Sequence, residues 1–221
     1  MPYGFHPPLE EYLVAIFELE EDGVTVIQAR LAERLSHSPP TVSEVIRTLL
    51  KEGTVTKSGR GISLTENGRQ KAQSIVRKHR LAERLLVDIL GLDWHLAHEE
   101  AGRWEHVISD RVAGRIAALT SNPSTCPHGN PIPGTIQLPD DGRVRLPEVS
   151  VGKNVNLVRI GEGAESKGET LSYLFNSGIS IGTTLKVSKP LKPQTMRVKV
   201  ESHFVELDLN VSQFLWVVDV P

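Results

Sequence analysis

Ser38-Pro-Pro-Thr-Val-Ser-Glu-Val-Ile-Arg-Thr-Leu-Leu-Lys-Glu-Gly53 reads as one helix with a clear start and stop. Ser38 can accept a first-turn N–H, Pro39 suits the first helical position, and Gly53 ends the run. Val42, Val45, Ile46, Leu49 and Leu50 share an apolar stripe. Directly after it the period falls from 3.6 to 2. Thr54-Val-Thr-Lys57 alternates, Ser58-Gly-Arg-Gly61 makes a turn, and Ile62-Ser-Leu-Thr65 alternates back, which is a hairpin. Upstream, Leu9, Tyr12, Leu13, Ile16 and Phe17 line one face of a helix that Asp22-Gly23 stops. Thr25 can cap a second helix through Leu35, and Ser36-His-Ser38 turns into the third. Helix, helix, turn, helix, hairpin is the order of a winged helix-turn-helix, with the third helix in the recognition position.

Downstream, a helical pattern runs from Thr65 to about Leu90 and another from Trp94 to about Leu119. Residues 121–134 hold too many prolines and glycines for regular structure, and 135–150 read as a linker. Short β-like runs at 156–160, 184–187, 196–200, 204–209 and 214–220 predict a small barrel or sandwich. The expected class is therefore α+β, mainly helical.

Composition narrows the function. With 39% hydrophobic and 24% charged residues, disorder is excluded as the main state. One cysteine, Cys126, excludes an internal disulfide and a cysteine-rich zinc module. No apolar run nears the roughly 20 residues of a membrane span, and no leader pattern is visible, so no membrane association and a reducing, cytoplasmic setting are expected. A net charge of -2 excludes a uniformly basic coat. Charge is nevertheless uneven. Residues 9–22 carry six acids and no base, whereas 25–78 carry ten bases against four acids and can meet phosphate.

Two helix faces carry metal-ligand chemistry. His79 and Glu83 are four apart on the long helix, and His98, Gly102, Glu105 and His106 share a face of the next. Facing each other, they would offer imidazoles and carboxylates for one or two divalent ions; Glu11, beside the apolar stripe of the first helix, could add an oxygen. The bland alternative is a surface His–Glu pair. Ser38, Pro40, Thr41, Ser43, Glu44 and Arg47 lie near the start of the third helix, where side chains reach base edges or phosphates, and Arg60 is at the hairpin tip. Thr41 and Ser43 could instead be helix caps. Cys126, with His128 nearby, reads as a structural loop residue, because no second base or orienting carboxylate is placed with it by spacing.

Several of these stretches carry a resemblance. Arg77-Lys-His-Arg-Leu-Ala-Glu-Arg-Leu-Leu86, His98-Glu-Glu-Ala-Gly-Arg-Trp-Glu-His-Val107 with Ser109-Asp110, and Gly129-Asn-Pro-Ile-Pro-Gly134 resemble the diphtheria toxin repressor family of metal-dependent regulators. Glu33-Arg-Leu35 and Pro40-Thr-Val-Ser43 resemble its helix-turn-helix. The match spans about residues 9–134. It implies a homodimer with a DNA-binding domain (1–74), a helical dimerisation and metal domain (75–140), a linker (141–150) and an SH3-like domain (151–221). It further implies an ancillary metal site of His79, Glu83 and His98 plus an oxygen from the third domain, assigned to Glu169. A primary site would use Glu105, His106, a residue of helix one and position 102. Glu11 stands where iron-sensing members have methionine, and Gly102 where members have cysteine or glutamate, so Gly102 offers only its carbonyl. Loss of sulfur ligands favours Mn(II), or Fe(II), with manganese preferred. The expected function is a repressor of metal-uptake genes that binds a palindrome as a dimer when loaded. The alternatives are a winged-helix sensor of a small organic ligand, a metallohydrolase, and a docking role for the β domain.

Overall fold

The structure is a computed structural model that describes residues 9–136, 142–165 and 168–220. Residues 1–8, where no leader pattern is visible, and 137–141, at the expected start of the linker, lie outside the described residues. The chain forms two compact units, one ending at Val76 and the other beginning at Arg77.

The first unit is the winged helix-turn-helix. It comprises α1 (Leu9–Glu21), α2 (Gln28–Leu35), α3 (Pro39–Lys51), β1 (Val55–Ser58), β2 (Gly61–Leu64) and the first turns of α4 (Glu66–Arg84). Tyr12, Leu13, Ile16, Leu31, Val42, Ile46 and Leu49 are buried in one core; each such aliphatic side chain contributes about 1.5–3 kcal/mol of transfer free energy. Gly23 ends α1 with φ 67°, and Val24 N–H returns to Leu19 O at 2.8 Å. The second helix starts two residues later than the Thr25 cap predicts. Ile27 precedes it in extended conformation without a side-chain cap, because Val26 is drawn into extension beside the hairpin: its carbonyl accepts Ile62 N–H at 3.0 Å. The hairpin pairs Val55 with Leu64 and Ser58 with Gly61. Its two-residue turn places Gly59 at φ 59°, where a side chain would be strained. Among the acids in 9–22, Glu18 pairs with Arg34 at 2.6 Å and Glu20 with Arg69 at 2.5 Å.

The second unit has a helical part and a β part, each with its own apolar core. The helical part holds the end of α4, a π-helical turn at Leu85–Ile89, α5 (Trp94–Trp104) and α6 (Asp110–Leu119). The single helix expected over 94–119 is thus two. Apolar periodicity runs on through Ile108, but Ser109 caps a new helix by accepting Val112 N–H at 3.3 Å. Glu105, still helical in its backbone at the end of α5, stays on the side of His98 and meets the same His79, whereas His106 lies in the turn that follows and is exposed.

The β part is a six-stranded antiparallel sheet. It is built of β3 (Val144–Arg145), β4 (Asn154–Ile160), β5 (Thr184–Ser188), β6 (Thr195–Val200), β7 (His203–Asp208) and β8 (Leu215–Asp219), in the order β3-β8-β4-β5-β6-β7. It is SH3-like but open: among the described residues β3 and β7 are its edges, so the expected barrel does not close. Residues 144–148, expected as linker, belong to the domain. Val144 and Arg145 pair with β8, and Leu146 is fully buried. Between β4 and β5, where only β-like runs were expected, come the short helix α7 (Glu162–Glu165) and α8 (Gly168–Asn176). Leu171 and Leu174, three apart, anchor α8 in the core. A last helical turn, α9 (Leu209–Ser212), precedes β8. Among the described residues no helix is long and apolar enough to cross a membrane.

Candidate functional site

The site grows from α4, whose polar residues divide between two tasks. Arg77, Arg80 and Arg84, at i, i+3 and i+7, share one face. They donate to the carbonyls of Pro133 (2.6 Å), Pro131 and Thr125 (2.7 Å). The proline-rich loop is thereby clasped by its backbone. Within it Cys126 N–H donates to Asn130 O at 2.8 Å, and Ile160 N–H of β4 donates to His128 O at 2.8 Å. Gly129 is obligatory there: at φ 85°, a Cβ would stand 2.2 Å from Val158 O. The loop thus carries Cys126 and His128 inward, both essentially fully buried.

His79 and Glu83 occupy the next face of α4 and meet three other segments. His79 Nδ1 lies 2.6 Å from Glu105 Oε2, and its Nε2 lies 3.2 Å from Glu83 Oε1 and 3.1 Å from His98 Nδ1 of α5. From α7, Glu165 Oε2 stands 3.0 Å from His98 Nδ1 and 3.3 Å from His128 Nδ1. Glu83 Oε1 is 3.2 Å from His128 Nδ1. Around this nucleus Asn130 donates to Glu165 Oε1, Arg159 Nε donates to Asn130 Oδ1 at 2.5 Å, and Arg80 pairs with Glu162 at 2.8 Å. Glu83, Glu162 and Glu165 are almost wholly shielded from solvent.

Burying so many ionisable groups shifts their equilibria in linked ways. Burial alone would lower His79 and His128, but the carboxylates facing them reverse this and hold both well above the ordinary histidine value. His98 is likewise lifted against burial to about 9, chiefly by hydrogen bonding to Glu165 and Glu83. Burial would raise Glu83, yet His128 and His79 keep it well below the usual carboxylate range. Glu162, against the same burial, is held at about 2 by Arg80. Glu165 is raised, by burial and by the neighbouring Glu162 charge. The Cys126 thiol is pushed up to about 12, by burial and then by the Glu83 charge. Carboxylates and imidazoles packed this tightly need positive charge between them, from protons or from a cation.

The donor arrangement fits a divalent ion. Glu105 can accept the Nδ1 proton of neutral His79, which leaves its Nε2 lone pair facing Glu83 and His98, the second-shell pattern that orients metal-bound imidazole. Glu83 Oε2 is buried and, among the described residues, accepts no hydrogen bond. Donor atoms of His79, Glu83 and His98 lie within 4.8 Å of one another, as do those of His98, Glu162 and Glu165.

Not every expected residue is here. Glu169 is exposed on α8 and outside the cluster; Glu162 and Glu165, one helix earlier, bring the β-domain oxygens instead. The signal available was their spacing of three beside Gly161, missed because α7 has only four residues. Cys126 and His128, read as structural, border the cluster directly. Glu105 and His106 are 3.2 Å apart, with His106 exposed. Gly102 is exposed on α5, and among the described residues a Cβ there would have nothing beyond its own stretch of helix within 4 Å. Glu11 is a partly buried residue of α1 in the first unit.

In that first unit, Ser38 Oγ accepts Thr41 N–H at 3.3 Å and lies 2.8 Å from Thr41 Oγ1, so both hydroxyls serve the cap. Pro40, Glu44 and Arg47 are exposed and Ser43 is partly so, while Arg60 is exposed at the hairpin tip.

These features have clear counterparts. The family pattern "Iron dependent repressor, N-terminal DNA binding domain" matches residues 5–61, and "Iron dependent repressor, metal binding and dimerisation domain" matches residues 65–134. The chain belongs to the iron-dependent repressor family. It is 44% identical over 181 residues to the iron-dependent repressor IdeR of Mycobacterium tuberculosis, covering 77% of this chain and 79% of that protein. It is 42% identical over 188 residues to the diphtheria toxin repressor of Corynebacterium efficiens, covering 80% and 81%. Among solved structures, a manganese-dependent transcriptional repressor in complex with manganese superposes with TM-score 0.83 at 33% identity, covering 96% of this chain and all of that one. ScaR with bound zinc gives 0.82 at 28% identity, covering 97% of this chain and 100% of its own. As an iron-dependent repressor the protein is a metal-dependent transcriptional regulator and not an enzyme, which removes the hydrolase alternative. Its partners are DNA and a second copy of itself.

Proposed function

We propose that this iron-dependent repressor binds a palindromic operator as a dimer in the cytoplasm when loaded with Mn(II) or Fe(II), and so controls genes of metal uptake. The observation that carries this is the buried convergence of His79, Glu83, His98 and Glu165, drawn from two long helices and the β domain. His79, Glu83 and His98, with Glu165 or Glu162, would hold one ion. Glu105 and His106, with the Gly102 carbonyl, are the candidate donors for another, giving up to two per subunit. Bound there, a divalent cation supplies the positive charge that the facing carboxylates and lone pairs otherwise take from protons. The residues do the rest. Asn130 and Arg159 fix Glu165, Arg80 fixes Glu162, and the arginine-clasped loop closes the far wall. Ser38 and Thr41 shape the start of α3, from which Ser43, Glu44 and Arg47 can reach base edges, with Pro40 beside the backbone and Arg60 on phosphate. Two recognition helices in successive major grooves require a spacing of about 34–36 Å.

Coupling is reciprocal: metal strengthens DNA binding only as far as it favours the DNA-competent form, and DNA strengthens metal by the same factor. The test is operator binding titrated with Mn(II) and Fe(II) separately. For the wild type, each effective ion should raise affinity by roughly 5–150-fold, and His79→Gln and His98→Gln should flatten the response. Equal DNA affinity in chelator and in saturating metal would overturn the proposal.

A further inference from the structure

The loop residues Cys126 and His128 have no part in the ligand sets assigned above, yet both are almost wholly shielded from solvent. Sγ of Cys126, an imidazole nitrogen of His128 and a carboxylate oxygen of Glu83 all lie within 4.8 Å of one another, and all three side chains are almost wholly buried. The orientation of His128 is fixed. Its Nε2 is 3.0 Å from the Trp94 carbonyl and must donate a proton to it. In the neutral ring Nδ1 is then a bare lone pair. It faces Cys126 Sγ at 3.9 Å, Glu83 Oε1 at 3.2 Å and Glu165 Oε2 at 3.3 Å. A lone pair set against two carboxylates is repulsive unless something positive sits between. Glu83 also brings the buried Oε2 that, among the described residues, accepts no hydrogen bond. Its other oxygen touches imidazoles on both sides, His79 and His128, each at 3.2 Å.

We propose that Glu83, Cys126 and His128 form an additional cation position beside the His79–His98 group, with Glu83 shared between the two and sulfur supplied by Cys126. Thiolate, imidazole and carboxylate together select a borderline ion such as Zn(II) or Co(II) over Mn(II), which prefers oxygen. The loop is prepared for this. Three arginines of α4 and the Ile160 amide hold its backbone, so capture requires no rearrangement of the main chain. The position does not depend on whether the chain binds DNA.

Cobalt reports a thiolate ligand by a charge-transfer band in the near ultraviolet. Anaerobic titration of the full chain with Co(II) should develop this band. Cys126→Ser should abolish it and lower Zn(II) stoichiometry by about one equivalent, while His79→Gln should leave it in place. Zinc-edge X-ray absorption on the wild type needs no variant and should show one sulfur scatterer at roughly 2.3 Å. Absence of both the band and the sulfur scatterer in the metal-saturated wild type would overturn the assignment. A sulfur-ligated ion in a protein whose DNA affinity ignores metal would instead overturn the regulatory proposal and leave this one standing.

Discussion

The recognition helix and the buried cluster are built on opposite principles. On α3 the functional side chains are exposed and independent: Glu44 and Arg47 reach into solvent, and the Ser38–Thr41 cap shapes only the first turn. In the cluster every group is held by another, and Glu83 alone meets His79, His98 and His128. Damage should therefore stay local on α3 and spread in the cluster.

The sharpest contrast comes from removing Glu83. Glu83→Ala leaves His79, His98 and His128 without their shared carboxylate, and should cost about 3–5 kcal/mol of metal-free stability, read by urea unfolding. An effect no larger than an exposed substitution on α3 would break the comparison. Next is the loop. Gly129→Ala forces a Cβ onto the Val158 carbonyl and strains a left-handed backbone, so a loss of about 1–3 kcal/mol is expected, together with weaker metal binding. Full metal affinity in this variant would show that the loop does not wall the site.

A pH series sharpens the same contrast. His98 has a folded pKa of about 9, above its unfolded value of about 6.5. Its contribution to metal-free stability is fully present below pH about 6.5 and is lost as the pH climbs through about 9. Metal competes for the same nitrogen, so metal affinity should rise across that window while the thermal midpoint of the metal-free protein falls. A metal-free midpoint that rises between pH 6.5 and 9 would contradict the proton-held cluster. The smallest effect belongs to the DNA side. Arg47→Ala and Arg60→Ala should each reduce the slope of log affinity against log salt by about 1, with stability unchanged. An unchanged slope in both would move the interface elsewhere.

What could be read from the sequence follows from the range of each signal. The Ser38-Pro39 start, the Gly53 stop and the Ser58–Gly61 turn are local chemistry, and the winged unit was legible from them. So was the pairing of His79 with Glu83, which needs only helical spacing. The break at 105–109 was marked by Ser109-Asp110 but masked by apolar residues that continue the period: Ile108 is buried, yet Val107 is 80% exposed. Glu165, Cys126 and His128 were not legible as neighbours, because chain folding alone joins α7 and the loop to α4. Glu169 was chosen as an acid in about the right stretch, but a helix of four residues leaves no periodicity to say which acid turns inward. Residues 144–148 look like linker because two residues of strand carry no alternation to detect.

The backbone of the loop around Cys126 is gripped by arginine contacts to its carbonyls and by one amide of the neighbouring strand. A segment fastened in that way can change the identities it displays without losing its shape. Positions 126 and 128 are therefore places where one or two codon changes could retune which ion a regulator answers to, with both apolar cores and the DNA-reading head left as they are.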